Sequence, residues 1–250
     1  ADARTVVVTG AASGIGAETA RAFAKQGDDV VIVDVDEQAA RDTADTLPAE
    51  GGYVVETDVS SDTDVRRLAT DVEERFGGAD VLVNNAGVAQ TPEPLADQSV
   101  EEWDEVVDVH LKGTYLCSKY FLPRMVEQRS GAVVNVSSIA GLGGFPERTA
   151  YGPAKSAINN LTQVLAMEGA SEEVRVNAVA PGYVKTPLVE EGIESGDFDE
   201  EPILDRTPVG RMATPAEVAD AITFLASEQA SYVTGVVLPV DGGWTADGYV

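Results

Sequence analysis

The feature that most constrains the fold is an alternation that runs from Thr5 almost to the end of the chain. Short β-branched runs at 5–9, 30–34, 53–56, 81–84, 132–137, 175–179 and 236–240 are separated by longer amphipathic segments at 15–26, 37–47, 61–76, 100–129, 151–168 and 215–226. Several runs are apolar at consecutive positions, as strands covered on both faces are. A repeated βα pattern of this kind predicts an α/β architecture: a doubly wound parallel sheet of about seven strands flanked by helices. Residues 187–209, rich in Glu, Asp and Gly, interrupt the alternation. They are expected either as a disordered stretch or as a lid, because open α/β sheets bind ligands beyond the carboxyl ends of their strands. No linker or duplication divides the 250 residues, so one domain over 1–250 is expected.

Composition narrows the function. Forty-three acidic residues against 17 basic ones give a formal net charge of −26, which repels polyanions and argues against nucleic acid as a partner. The acids are interspersed with regular apolar segments instead of forming a polar tail, so disorder does not explain them. Such a surface suits a protein working in concentrated salt, where the repulsion is screened. The composition resembles that of proteins from salt-accumulating halophiles. Cys117 stands alone, so no intrachain disulfide is expected. No apolar run is long enough for a bilayer, and the chain starts on a strand-like segment without a signal peptide. A cytoplasmic protein without a membrane partner is therefore the expectation.

After the first run comes Thr9-Gly10-Ala11-Ala12-Ser13-Gly14-Ile15-Gly16. Glycines here allow a tight turn and close approach of phosphates, while the following helix start offers free N–H groups and a positive dipole end. Placement between a strand and a helix makes the motif more specific than glycines alone. Asp34 ends the second run, where a carboxylate can accept from both adenosine ribose hydroxyls. A 2′-phosphate would meet its charge, and no arginine follows to compensate, so NAD is preferred to NADP. Asp58 and Val59 after the third run suit an adenine amino group and ring face. Asn84-Asn85-Ala86-Gly87 after the fourth suits backbone passing close to a ligand.

Ser137-Ser138 follow the fifth run, and Tyr151-Gly152-Pro153-Ala154-Lys155 comes later. Tyr151 and Lys155 are four apart, one turn apart on one face if both are helical. A nearby ammonium stabilises phenolate and lowers a tyrosine pKa, making the phenol a usable acid or base. The glycine-rich turn, Asn84-Asn85-Ala86-Gly87, Ser138, Tyr151 through Lys155, and Pro181-Gly182 together resemble the short-chain dehydrogenase/reductase family over essentially the whole chain. The resemblance implies a Rossmann fold that binds NAD(P), with 187–209 as a substrate loop. It implies Tyr151 as acid/base, Ser138 as the hydroxyl on the substrate oxygen, and Lys155 as the residue that lowers the Tyr151 pKa and binds the nicotinamide ribose. Gly10, Ser13, Gly14, Ile15, Gly16, Asp34, Asp58, Val59, Asn85, Ala86, Gly87, Tyr151, Lys155, Pro181, Gly182, Val184 and Thr186 would bind the cofactor. Hydride would pass between nicotinamide C4 and a carbinol carbon.

His110, the chain's one histidine, stands where the resemblance leads one to expect an asparagine that holds a water in a proton relay from Lys155. It keeps that relay, serves structure, or touches substrate; a metal role lacks companion ligands. Leu142, Gly143, Gly144, Phe145, Leu188, Val189 and Ile193 are candidates for a partly apolar substrate wall. The expected substrate is a secondary alcohol, diol, polyol or sugar, or the matching ketone. The alternatives are a 3-oxoacyl-[acyl-carrier-protein] reductase-like ketoreductase, whose acidic carrier would want a basic patch, and two readings without catalysis, a nicotinamide-binding redox sensor and a structural assembly protein. The resemblance also implies a homotetramer built on 100–129 and 151–168, with the tail at 241–250 near another interface.

Overall fold

The computed structural model describes residues 3–48, 52–196 and 199–247. Strands β1 (Thr5–Thr9), β2 (Asp29–Asp34), β3 (Tyr53–Glu56), β4 (Val81–Asn84), β5 (Gly131–Val136), β6 (Val174–Pro181) and β7 (Val237–Val240) form one sheet in the order β3-β2-β1-β4-β5-β6-β7. Every pairing is parallel. The winding reverses between β1 and β4, and their carboxyl ends flank the crevice where such sheets bind ligands.

The helices are α1 (Gly14–Gln26), α2 (Glu37–Ala44), α3 (Asp62–Phe76), α4 (Val100–Val107), α5 (Gly113–Gln128), α6 (Tyr151–Gly169), α7 (Pro187–Ser195), α8 (Glu200–Arg206) and α9 (Pro215–Leu225). Successive strand residues point to opposite faces, so Val6 and Val8 join Phe23, Ile222 and Leu225 under α1 and α9. Val7 joins Leu68, Phe121 and Met125 on the other face, under α3 and α5. Both faces of β1 are buried, which is why its sequence lacks a polar alternation.

Two helices depart from the sequence expectations, and of the two expectations for the insertion the disordered one is not met over its described residues. The single helix expected over 100–129 is divided by a π-turn at Asp108–Lys112. Helix α2 ends at Ala44, with Asp45 as C-cap, short of residue 47. The insertion is structured: α7 starts at the N-cap Thr186, whose hydroxyl accepts from Val189 N at 3.4 Å, with Pro187 in the first turn. Helix α8 is capped by Asp199. Of the tail, Trp244 is buried, whereas 248–250, with Tyr249, lie outside the described residues. Among the described residues no helix is long and apolar enough to cross a membrane.

Candidate functional site

At the carboxyl end of β1 the Thr9 hydroxyl accepts from the backbone N–H groups of Asn85 and Ala86 at 3.0 and 3.1 Å and donates to Val83 O at 3.3 Å. The Asn85 amide donates to Thr9 O and Gly10 O at 2.9 and 3.0 Å. The turns after β1 and β4 are thereby held together as one surface. They approach so closely that a Cβ on Gly10 would lie 2.7 Å from Ala86 Cα, and one on Gly16 would lie 2.1 Å from Gly10 O. Ser13, the N-cap of α1, makes no side-chain capping bond, which leaves first-turn N–H groups to serve an anion. A Cβ on Gly14 would stand 3.3 Å from Thr186 Cγ2, so the amino ends of α1 and α7 sit side by side. Ile15 packs on the core beneath them.

A cavity of about 360 Å³ runs from Asp34 past Asp58 and Val59 to Ala86, Gly87 and Val88. The Asp34 carboxylate is fixed at its lip, accepting from Ala12 N at 3.0 Å and Asp36 N at 3.1 Å. Gly182, just after β6, lies so closely against the tail that a Cβ would meet Asp241 Cα at 2.9 Å. Val184 forms a parallel bridge with Ala213. Glycines that admit no Cβ, helix N–H groups without side-chain caps and an oriented carboxylate are what a dinucleotide requires, so the residues present fit that group.

Ser138 lies just beyond β5 as the N-cap of a 3₁₀ turn, its hydroxyl accepting from Ala140 N at 3.1 Å. Tyr151 is the first residue of α6. The preceding Ala150 has no capping side chain, and Gln90 supplies the missing acceptor: its Oε1 takes the Tyr151 N–H at 2.8 Å. Lys155 follows one turn later, buried, with Nζ donating to Val136 O at 2.7 Å and 5.6 Å from the centre of the Tyr151 ring. Burial pushes the Lys155 ammonium down to about 7. The phenol differs from the sequence expectation: burial raises the Tyr151 pKa, while the Ser138 hydrogen bond and the charge of Arg148 pull against the rise. The Val136 carbonyl takes one of the three Lys155 N–H donors and leaves two for other partners.

His110 sits in the π-turn and is 3% exposed. Its Nε2 is 2.9 Å from Val88 O and 3.2 Å from Val88 N. Its Nδ1 is buried without a hydrogen-bond partner among the described residues. The Cε1 edge of the ring abuts Gly87, where a Cβ would meet His110 Cε1 at 2.3 Å. Burial, and then the Lys155 charge, push the imidazole down to about 3, so it is neutral at physiological pH.

The insertion packs beside this cluster. Val189 and Ile193 of α7 and Ile203 of α8 meet Ile139, Phe145 and Trp244. Of the expected wall residues, Phe145, Val189 and Ile193 are thus brought together. Leu142 and Leu188 are exposed, and Cβ atoms on Gly143 or Gly144 would meet nothing within 4 Å, so these four stand outside that packed cluster. Sequence reasoning missed Gln90, Arg148 and Tyr183. None of the three carries a local signal, since Arg148 lies ahead of α6 and outside its helical spacing. Among the described residues no three His, Cys, Asp or Glu side chains gather as a metal site. Burial pushes the Cys117 thiol up to about 12, so it is inert.

A family model described as Enoyl-(Acyl carrier protein) reductase matches residues 10–245. The chain is 47% identical over 245 residues, 97% of both chains, to cis-4-hydroxycyclohexanecarboxylate dehydrogenase of Sinomonas cyclohexanicum. A solved structure described as ribose-5-phosphate isomerase from Brucella melitensis 16M superposes with a TM-score of 0.95 at 40% identity, over 99% of this chain and 95% of that one. ElxO with NADP bound superposes with a TM-score of 0.92 at 35% identity, over 98% of this chain and 100% of that one.

Proposed function

The chain belongs to the short-chain dehydrogenase/reductase family of nicotinamide-dependent oxidoreductases, and on that premise we propose that it oxidises a secondary alcohol, or reduces the matching ketone, with NAD. The observation that carries this reading is the gathering of Ser138, Tyr151 and Lys155 at the end of β5 and start of α6. His110 links them to the cavity: its ring faces Tyr151 and its Nε2 meets Val88 on the cavity wall. A bound nicotinamide supplies the hydride acceptor or donor at its C4.

The chain's own residues supply the proton route. Tyr151 holds or takes the proton at its phenol oxygen, with Ser138 orienting the substrate oxygen against it. Lys155, with its pKa near 7, holds a ribose hydroxyl and passes protons outward. His110 serves that passage through its buried Nδ1. Gly10, Gly14 and Gly16 leave room for the diphosphate, with Ser13, Ile15 and Thr186 around it. Asp34 takes the ribose diol, Asp58 and Val59 the adenine, and Asn85, Ala86, Gly87, Pro181, Gly182 and Val184 the remainder of the cofactor. NAD is favoured over NADP because Asp34 presents its charge to the position of a 2′-phosphate, with Asp36 two residues on.

The hydroxylated cyclohexane named for the Sinomonas relative is a secondary alcohol, which supports the substrate class. Isomerisation of ribose 5-phosphate, named for the Brucella structure, involves no net redox change and would leave the dinucleotide cradle without a use. The carrier-protein reading is favoured by the family description but opposed by the net charge of −26, since an acidic carrier needs a basic dock. The same charge supports work in concentrated salt. Residues 1–250 act as one dinucleotide-binding domain, with 187–209 as its substrate loop. The exposed apolar side chains of Trp103, Tyr115, Val164 and Met167 on α4, α5 and α6 support a homotetramer.

Reduced-nicotinamide absorbance tests the proposal, with NAD or NADP offered alongside secondary alcohols, diols, polyols and sugars in roughly molar potassium chloride. An NAD-dependent signal is expected. Turnover with NADP alone would overturn the Asp34 reading, and cofactor binding without turnover would favour the redox sensor.

A further inference from the structure

A buried glutamine that the proton route does not use touches the backbone of Tyr151. Gln90, on the segment that leaves β4, is 3% exposed, and its Oε1 accepts the Tyr151 N–H at 2.8 Å. The amide faces only one way, because turning it over would set Nε2 against the N–H, donor to donor. Its Nε2 is then buried with no hydrogen-bond partner among the described residues. A buried unpaired donor destabilises a fold, so the use of this amide lies in its acceptor.

Tyr151 needs that acceptor. As the first residue of α6 its N–H has no carbonyl within the helix to bond, and Ala150 before it has no capping side chain. Elsewhere Asp36, Ser61, Ser99, Thr186, Asp199 and Thr214 cap their own helices. The helix that carries the reacting phenol is held instead by a side chain 61 residues away. Further bonds lace the same two segments together. Glu93 N donates to Glu147 O at 3.4 Å, the Arg148 Nη1 to the Gln90 carbonyl, and the Thr149 hydroxyl to Gln98 Oε1. Two residues before Gln90, Val88 lines the cavity beside Gly87, and its carbonyl oxygen lies 2.9 Å from His110 Nε2. The wall of the cavity and the anchor of the Tyr151 backbone are therefore parts of one short segment.

We propose that Gln90 is a positioning residue for the reaction: by holding the Tyr151 N–H it sets where the phenol stands relative to Ser138 and to a cofactor bound along Gly87 and Val88. This rests on the alcohol dehydrogenase reading above. The phenol oxygen lies at the end of a long side chain, so a small rotation of the Tyr151 backbone moves it far. A misplacement of about 1 Å at a reacting group can cost about 100-fold in rate. Gln90 is not itself part of the cavity lining, so its effect passes through Tyr151 and spares the dinucleotide.

The test is a double-mutant cycle on the full chain, with NAD and a secondary alcohol that the wild type oxidises. Gln90→Met keeps the length of the side chain and removes the acceptor. It is expected to lower kcat by about 10- to 100-fold and to leave NAD affinity, measured by calorimetry, within a few-fold. In a Tyr151→Phe background, where no phenol remains to be placed, the same change is expected to lower the residual kcat by less than about twofold. Gln90→Glu, which keeps an oxygen toward the N–H, is expected to recover most of the loss. A fall of less than about threefold in Gln90→Met, an equal fall with and without the Tyr151 phenol, or a Gln90→Glu enzyme as slow as Gln90→Met overturns the inference and leaves the dehydrogenase reading intact. If Gln90→Met does not fold, Gln90→Asn, which withdraws the acceptor by one methylene, goes through the same cycle and is judged in the same way. If the wild type oxidises no alcohol at all with either cofactor, the dehydrogenase reading fails and takes the inference with it.

Discussion

The ring of His110 meets the ring of Tyr151 edge to face, centroids 5.2 Å apart and planes at 84°. The contact is made by a neutral imidazole whose pKa is pushed down to about 3 by burial. The unfolded chain takes up a proton on this residue near pH 6.5 that the folded chain refuses until far lower pH. Between those values the unfolded state binds more protons, so the contribution is complete above about pH 6.5 and is lost as pH falls through the window. Urea unfolding of wild type should show this residue costing about 2 kcal/mol between about pH 8 and about pH 5. His110→Asn should lack that component of the slope. Identical slopes would mean that the buried ring carries a proton.

Asp34 decides between cofactors by charge. Asp34→Asn keeps the size and one acceptor while removing the negative charge at the cavity lip, so the preference for NAD over NADP should fall by about tenfold or more. Comparing kcat/KM for the two cofactors measures it. A preference that does not move would place discrimination elsewhere.

Gly16 has no room for a side chain. A Cβ there would sit 2.1 Å from the Gly10 carbonyl oxygen, so Gly16→Ala must open the turn that holds β1 to β4. A loss of about 1–3 kcal/mol in stability is expected, together with weaker dinucleotide binding in calorimetry. Retention of wild-type affinity and melting temperature would show that the turn yields without consequence.

A net charge of −26 makes the folded state repel itself at low ionic strength. Raising potassium chloride from about 0.1 M to about 1 M shortens the screening length from about 10 Å to about 3 Å, and the melting temperature should climb steeply over that range. A flat response would mean that the acidic residues are spaced widely enough to be of no consequence.

The strands were legible because parallel strands buried on both faces leave consecutive apolar runs, as in Val6-Val7-Val8; three of the seven have the ends expected from sequence. The turn after β1 and the end of β2 were legible for a similar reason: Gly10, Gly16 and Asp34 answer to local geometry. The π-turn was not. It goes with a tertiary contact of the His110 Nε2 with Val88 O and with the Thr114 hydroxyl donating to His110 O at 2.7 Å, neither of which changes the apolar period of 100–129. Gln90 was hidden likewise, since a side chain that caps a helix 61 residues away leaves no local mark. The Tyr151 pKa was misjudged from spacing alone. Residues four apart on a helix are neighbours, but Lys155 points its Nζ at Val136 O, and burial then governs the phenol.

The central claim is that Tyr151 moves the proton in a nicotinamide-dependent oxidation. Its most direct test is turnover of wild type and Tyr151→Phe with NAD and a secondary alcohol the wild type accepts, with NAD affinity measured on both proteins. Removing one oxygen should leave affinity within a few-fold and lower kcat by about 10²- to 10⁴-fold. Undiminished turnover by Tyr151→Phe would contradict the account and return the proton route to another group.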